Sequence, residues 1–563
     1  MRTCLSIIVI AAFTVVVTGC GNKSVDEEAA ENSYKGCINI PEESYPMCED
    51  HVNERLATFA PFELKSDLSH LTDNERKIID ILWEVADIME DLYWKQTIGN
   101  RDAFLNSIQD GNTKKFAEIN YGPWDRLDDN ISFIDLIYQK PLGANFYPVD
   151  MTKEEFEAFE CPDKTSGYTL IRRDENGKLK CVWYQDAYKS QLQKAANLMK
   201  EAAKYADDKG LRNYLTLRAD ALITSNYQPS DFAWMEMQNA NIDFVVGPIE
   251  NYEDALFGYK CAFESFILVK DLDWSAKLSK FSAMLPALQQ SLPVDDIYKK
   301  EVPGSKADIN VYDAIYYKGD CNAGSKTIAI NLPNDEEVHL KYGSRKLQLK
   351  NSMQAKFDKI VMPIANVILD ESQLQHVKFD AFFENTTFHE VGHAMGIKNT
   401  IDGTQTVREA LKEQYSSLEE AKADIMGLYL VSKLYEQGEI TSGELMDNFV
   451  TFFVGIFRSS RFGAASAHGK ANMMRFNYFE QQGAFSRNAE TGKYTVNFDK
   501  MYAAMISSIQ QILTLQGNGD YEATKNLIMT EGVVRPQLQA DLDRINEANI
   551  PVDIVFSQGK QLY

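Results

Sequence analysis

A chain of 563 residues is longer than one hydrophobic core usually serves, so two lobes or domains are expected. Its apolar share of 44% and charged share of 25% are those of a globular protein and exclude a disordered or fibrous class. A net charge of −24 sets nucleic acid and anionic membrane surfaces aside as partners, and beyond that it signifies solubility.

The first residues read as a targeting segment. Met1, Arg2 and Thr3 give a short positive stretch, Leu5 to Val17 an apolar run too short to span a bilayer, and Val17-Thr18-Gly19-Cys20 a small-residue cleavage site. The pattern resembles a bacterial lipobox, with residues 1–19 as signal peptide and Cys20 lipidated; the plain alternative is a secretory peptide with an incidental cysteine. Residues 20–55, opening on a Glu-, Ala-, Asn- and Ser-rich stretch, read as a tether. The expected location is the bacterial cell envelope, periplasmic or cell-surface face, attached through the N-terminal lipid alone. Six cysteines follow Cys20, and an oxidising compartment permits disulfides. Cys37–Cys48 and Cys161–Cys181 are plausible local pairs, with Cys261–Cys321 as the remainder. No CxxC occurs, so neither a cysteine zinc site nor a thioredoxin-like motif is indicated.

From Thr72 to Leu105 the pattern is helical: Thr72 and Glu75 offer a capping box, and Ile78, Leu82, Val85, Ala86 and Met89 recur at helical spacing. A second helical stretch covers Tyr188–Asp207. Phe244–Val246, Phe266–Val269 and Thr327–Ile330 are short, branched and bounded by Gly, Pro or Asn, as strands are. Residues 350 to 530 read as almost pure helix, and Pro551–Phe556 as a closing strand. A mixed α/β lobe and a helical lobe follow.

Within the helical region stands Phe388-His389-Glu390-Val391-Gly392-His393. Residues four apart share a helix face, so both imidazoles reach one metal ion, and Glu390 is placed to touch its water. Gly392 costs the helix roughly 1 kcal/mol relative to Ala, which suggests that something approaches closely there. The motif alone is weak, since amphipathic helices with two ordinary histidines are common. A second acidic segment, Tyr415 to Asp424, strengthens it; Ser416 and Glu419 are available there as a capping box. Glu419 or Glu420 would complete a His₂Glu set; if it is Glu420, Asp424 lies one turn on to accept the free N–H of a ligand imidazole. Three protein ligands leave a fourth position open, the catalytic pattern for zinc.

At this point the sequence resembles the dipeptidyl peptidase III family of metallopeptidases. That family pairs a His-Glu helix with a later Glu-Glu-x-x-x-acid helix, here Glu419 to Asp424, and the resemblance makes Glu420 the third ligand of a single Zn²⁺, with Glu419 and Asp424 behind the ligands. Most members carry HExxxH; His389 to His393 is the shorter pentapeptide form, also known there. Ile249-Glu250-Asn251-Tyr252 is similar to the family's Ile-Glu-Ser-Tyr segment, Asn331-Leu332-Pro333-Asn334 to its Asn-x-Pro-Asn segment, and Ala467-His468-Gly469 to the segment bearing a transition-state histidine. Carried over, Glu250, Asn331 and Asn334 bind the substrate's α-amine and first residue, while Tyr252 and His468 face the oxyanion. The arginine that follows the family's catalytic histidine is replaced by Asn472, and its C-terminal substrate-binding arginine has no evident counterpart.

The resemblance implies an α+β, mainly helical fold of two lobes around a wide cleft: a mixed lobe with a small, mostly antiparallel or barrel-like sheet, and an all-helical zinc lobe. It divides the chain into a mixed lobe at 56–270, a helical segment at 271–300, a return at 301–349, the zinc lobe at 350–530, and a last return at 531–563. The implied activity is zinc-dependent release of dipeptides from the free N terminus of short peptides, with Glu390 as base; a monomer is plausible. A zinc endopeptidase, a single-residue aminopeptidase and an inactive peptide-capture lipoprotein are the rival readings.

Overall fold

Two separate hydrophobic cores organise the chain. The computed structural model describes residues 46, 49–135, 137, 139–301 and 308–563. Cys20, the signal segment, most of the tether and the Cys37–Cys48 pair lie outside the described residues. The end of the stretch read as tether is ordered: Glu49–Leu56 is a helix that buries Val52.

The first core begins with α1 (Asp73–Thr97), whose capping box joins Thr72 to Glu75 and whose inner face buries Ile78, Leu82, Val85, Ala86 and Met89. Each buried aliphatic side chain contributes roughly 1.5–3 kcal/mol. The helical run expected to reach Leu105 is interrupted: Gly99 takes a φ of 97° and a new helix, Arg101–Ser107, starts from an Asn100 cap. Two further helices, α2 (Lys189–Tyr205) and α3 (Lys209–Thr224), pack beside α1.

These helices cover a five-stranded sheet of β1 (Ile242–Glu250), β2 (Ala262–Lys270), β3 (Asp308–Gly319), β4 (Ala329–Leu332) and β5 (Arg345–Leu349), in the order β1-β2-β3-β5-β4. β3 and β5 run parallel and the other neighbours antiparallel. Of the two expected forms, the sheet takes the open, mostly antiparallel one and not a closed barrel. Its edge strands β1 and β4 are bridged by a side chain past the end of β4, Asn334 Nδ2, which donates to Ile249 O at 3.3 Å.

The second core is helical, built from α4 (Leu272–Gln290), α5 (Phe379–Gly392), α6 (Tyr415–Glu436), α7 (Leu445–Ser460), α8 (Ala467–Gln481) and α9 (Phe498–Asn518), with a two-stranded insert at Phe485–Arg487 and Tyr494–Val496. β3 serves both cores: Ile309 and Val311 belong to the helical one, Tyr312 to Tyr317 to the mixed one. The last return to the mixed lobe starts later than 531. Helix Pro536–Glu547 buries Leu538, Leu542 and Ile545 in the helical core, and the crossing comes with Asp553–Ser557, which pairs in parallel with Phe59–Glu63.

Cys161 and Cys181 form a disulfide, but Cys261 and Cys321 are free thiols. The remainder pairing fails because the buried Cys321 Sγ is turned onto the carbonyls of Lys318 at 3.3 Å and Ser265 at 3.4 Å. Among the described residues no helix is long and apolar enough to cross a membrane.

The loop after β1 is fixed by a buried charge cluster. Glu253 meets Arg126 Nη1 at 2.7 Å and Lys140 Nζ at 2.8 Å. Burial alone would raise its pKa, but the two cations outweigh that and hold it at about 2. The ordinary value is 4.5, so this stabilisation is full above about pH 4.5 and lost as pH falls through about 2. Glu253→Ala strands two cations and is expected to lower unfolding stability at pH 7 by about 3–5 kcal/mol. Urea melts should show the deficit shrinking between pH 4.5 and 2; a deficit independent of pH in that window would contradict the assignment.

Candidate metal centre and peptide cleft

α5 and α6 cross with their backbones in contact. A Cβ on Gly392 would lie 2.5 Å from Ala423 O, and one on Gly427 2.8 Å from His389 N. The main chain of α6 is therefore what approaches Gly392, and it brings Glu419, Glu420 and Asp424 against the two histidines.

Each of those histidines is oriented by a carboxylate through Nδ1. His389 Nδ1 donates to Asp424 Oδ1, and His393 Nδ1 donates to Glu419 Oε1 at 3.0 Å. Both Nε2 atoms then turn towards Glu420 Oε2, at 3.3 Å for His389 and 3.7 Å for His393, and His468 Nε2 lies 3.1 Å from the same oxygen. That oxygen is buried without a hydrogen-bond donor. With Nδ1–H committed to a carboxylate, the neutral tautomer presents an Nε2 lone pair to an oxygen lone pair, an arrangement that calls for a cation between them. Ligands about 2.0–2.1 Å from a tetrahedral zinc stand about 3.3 Å apart, close to what these atoms show. The residues fit a zinc ion.

The electrostatics agree. Burial disfavours a charged His389, yet Asp424 and Glu420 push its pKa up to about 10. Burial likewise opposes ionised Glu419, but Lys422 at 2.8 Å and His393 hold it at about 2. Asp424 is kept well below the usual range, against burial, chiefly by Arg475. Glu419 makes no capping box with Ser416: α6 has no side-chain cap, because Glu419 is turned inward to His393, Lys422 and Gln516. Nor is Lys422 the solvated partner of an acidic face; it is buried and donates to Met395 O at 2.9 Å, holding the chain just past His393.

The expected site residues divide between two cavities. One, of about 390 Å³, is lined by His389, Glu390, Asp424 and His468, with Ile328 and Ala329 at its rim. The other, of about 550 Å³, holds Glu250, Tyr252 and Asn334. Burial raises the Glu250 pKa and a hydrogen bond from Asn334 partly offsets it. Asn331 lies on β4, exposed, opposite Lys346. Tyr252 and His468, expected to converge on one oxyanion, do not meet here: His468 stands at Glu420, while Tyr252 is 80% exposed in the larger cavity.

Comparison with known proteins follows from this geometry. The profile of peptidase family M49 matches residues 154–404. A solved structure of DPP III from Caldithrix abyssi is 39% identical, covers 91% of this chain and 99% of its own, and superposes with a TM-score of 0.86. The dipeptidyl-peptidase III structure from Corallococcus sp. strain EGB is 36% identical over 90% of this chain and 96% of its own, with a TM-score of 0.73. Nudix hydrolase 3 of Arabidopsis thaliana is 32% identical over 568 residues, 89% of this chain and 73% of the plant protein. The chain belongs to peptidase family M49. It is a dipeptidyl-peptidase III-like metallopeptidase that acts on peptides, and the two-lobe fold expected from the sequence is the fold of these relatives.

Two side chains in this M49 site escaped the sequence reading. Lys346 on β5 donates to Glu390 O at 2.8 Å and to Oε2 at 3.2 Å, crossing from one lobe to the other. Arg475 on α8 bonds Asp424 and donates to Asn472 Oδ1 at 2.8 Å, so the cation missing at 472 is supplied one turn later. A lone arginine amid Met and Phe was the available signal for the second; nothing local marks the first.

Glu420→Ala should abolish zinc retention, measured by metal analysis after dialysis, whereas Glu419→Ala should weaken it by about 10–100-fold; the reverse order would exchange their roles. Gly392→Ala pushes the α6 backbone away and should lower both zinc content and stability, the latter by about 1–3 kcal/mol. Unchanged zinc content would mean the crossing is not what sets the site.

Proposed function

We propose that this protein is a zinc-dependent exopeptidase that releases dipeptides from the free N terminus of short peptides. The carrying observation is β4. It is an open sheet edge that leads from Ile328 and Ala329 in the metal cavity to Leu332, Pro333 and Asn334 in the Glu250 cavity. An extended peptide adding to that edge has its ends in the two cavities and its backbone amides paired between them. Glu250, a buried carboxylate beside Asn334, meets the substrate ammonium; Asn331 and Asn334 offer amides to the first residue. The spacing from that ammonium to the metal centre sets the length of the piece removed.

One zinc ion held by His389, His393 and Glu420 supplies a Lewis acid that polarises the scissile carbonyl and acidifies water. Glu390 Oε2 accepts the proton of the attacking water and returns it to the leaving amine. Lys346 holds that carboxylate in position from the opposite lobe. His468 Nε2 donates to the developing oxyanion, a role typically worth about 3 kcal/mol. Tyr252 is assigned to the peptide's path beside Glu250 and not to the oxyanion. We also place the protein in a bacterial cell envelope, lipid-anchored through Cys20; the lipobox-like sequence supports this, and no nucleic-acid partner is expected.

A panel of aminoacyl, dipeptidyl and N-acetylated peptide substrates, with and without chelator, tests the reading. Dipeptides should be the product, chelator should stop the reaction, and N-acetylation should abolish cleavage; efficient cutting of blocked peptides would instead indicate an endopeptidase. Lys346→Met should lower kcat by roughly tenfold, the value of one hydrogen bond to a charged group, with little change in KM; an unchanged kcat would free Glu390 from this contact.

A further inference from the structure

Two arginines close α7 and meet different fates. Arg461, just past its end, donates through Nη1 to Pro551 O at 2.6 Å and through Nη2 to Ile550 O at 2.7 Å. Arg458, in the last turn, has its Nε sealed from solvent with no acceptor, and among the described residues its guanidinium makes no hydrogen bond or ion pair. Burial lowers its pKa, and Asp553 offsets this only from a distance. Asp553 is already taken, by Lys356 at 3.2 Å and by Ser325. An enclosed cation without a partner is costly, and a ligand anion is the natural counter-charge.

Arg458 lines the same cavity as His389, Glu390 and His468. The neighbouring wall is apolar, formed by Phe382, Phe452 and Ile456. If the peptide's amine lies with Glu250 in the mixed lobe, whatever follows the cut passes into this helical-lobe cavity. A planar guanidinium set behind an apolar wall suits a carboxylate, which it grips with two parallel hydrogen bonds.

We propose that Arg458 binds the free α-carboxylate of the substrate, so that the enzyme selects short peptides ending a residue or two past the cut, with an apolar residue directly after it. This rests on the exopeptidase reading above. An acidic side chain carries the same group, and the test separates the two sources.

Zinc-loaded wild type, Arg458→Met and Arg458→Lys are assayed on Ala-Ala-Phe-Ala as the free acid, on its C-terminal amide, and on the amide of Ala-Ala-Phe-Glu. Thermal melting and zinc content verify each variant. Wild type should cleave the free acid with a kcat/KM roughly 10–100-fold above the amide, mostly through KM. Arg458→Met should bring the acid down to the amide's level and leave the amide unchanged; Arg458→Lys should recover part of the preference. Equal rates on acid and amide in wild type overturn the proposal, as does an equal loss on both in Arg458→Met. A glutamyl amide that matches the free acid and falls with Arg458→Met overturns the terminal assignment in favour of a side-chain carboxylate. If none of the three peptides yields a dipeptide, the exopeptidase reading fails and this one with it; dipeptide release without an acid–amide difference sinks only the role of Arg458.

Discussion

Where α5 and α6 cross, Gly392 and Gly427 leave no room for a side chain between the two backbones. That contact sets how far His389 and His393 stand from Glu420, and hence whether three ligand atoms share one ion. Everything nearby reinforces it. Lys422 ties α6 to the chain after His393, Glu419 and Asp424 fix the imidazole planes, and Arg475 and Gln516 hold those carboxylates from behind. Charge is balanced by pairs drawn from different helices, so the centre is as rigid as the packing around it.

The base belongs to a different constraint. Glu390 rides on the helical core, but the ammonium that holds it comes from the sheet of the other lobe. The two cores share β3, a continuous strand with one end in each. A site whose metal is set within one lobe and whose base is steadied by the other is complete only when both keep their relative position.

Much of the centre was legible in the sequence because it is local. The four-residue spacing of His389 and His393, and the run from Glu419 to Asp424, are single-helix patterns that period and spacing reveal. The capping box of α1 and its apolar stripe were legible for the same reason. What the sequence hid is tertiary. Glu419 looked like a cap and is an inward-facing partner of His393; Lys346 is remote in sequence and reaches Glu390 only through sheet register; Cys261 and Cys321 counted as a pair but their thiols point elsewhere. The lobe boundary at 531 failed because Pro536–Glu547 is an amphipathic helix like its predecessors, and no local feature says which core it buries against. Tyr252 followed the family pattern in sequence, but which cavity it lines is a matter of how the lobes sit.

The parallel pairing of Phe59–Glu63 with Asp553–Ser557 has a consequence for how the chain is made. Ile554 and Phe556 enter the same core as α1, although nearly the whole sequence separates them. During synthesis that core stands unfinished until the final residues emerge, while the helical lobe already has all its segments. The first lobe to be translated is thus the last to be sealed. An exposed edge at Phe59–Glu63 is what a chaperone would have to shield in the interval.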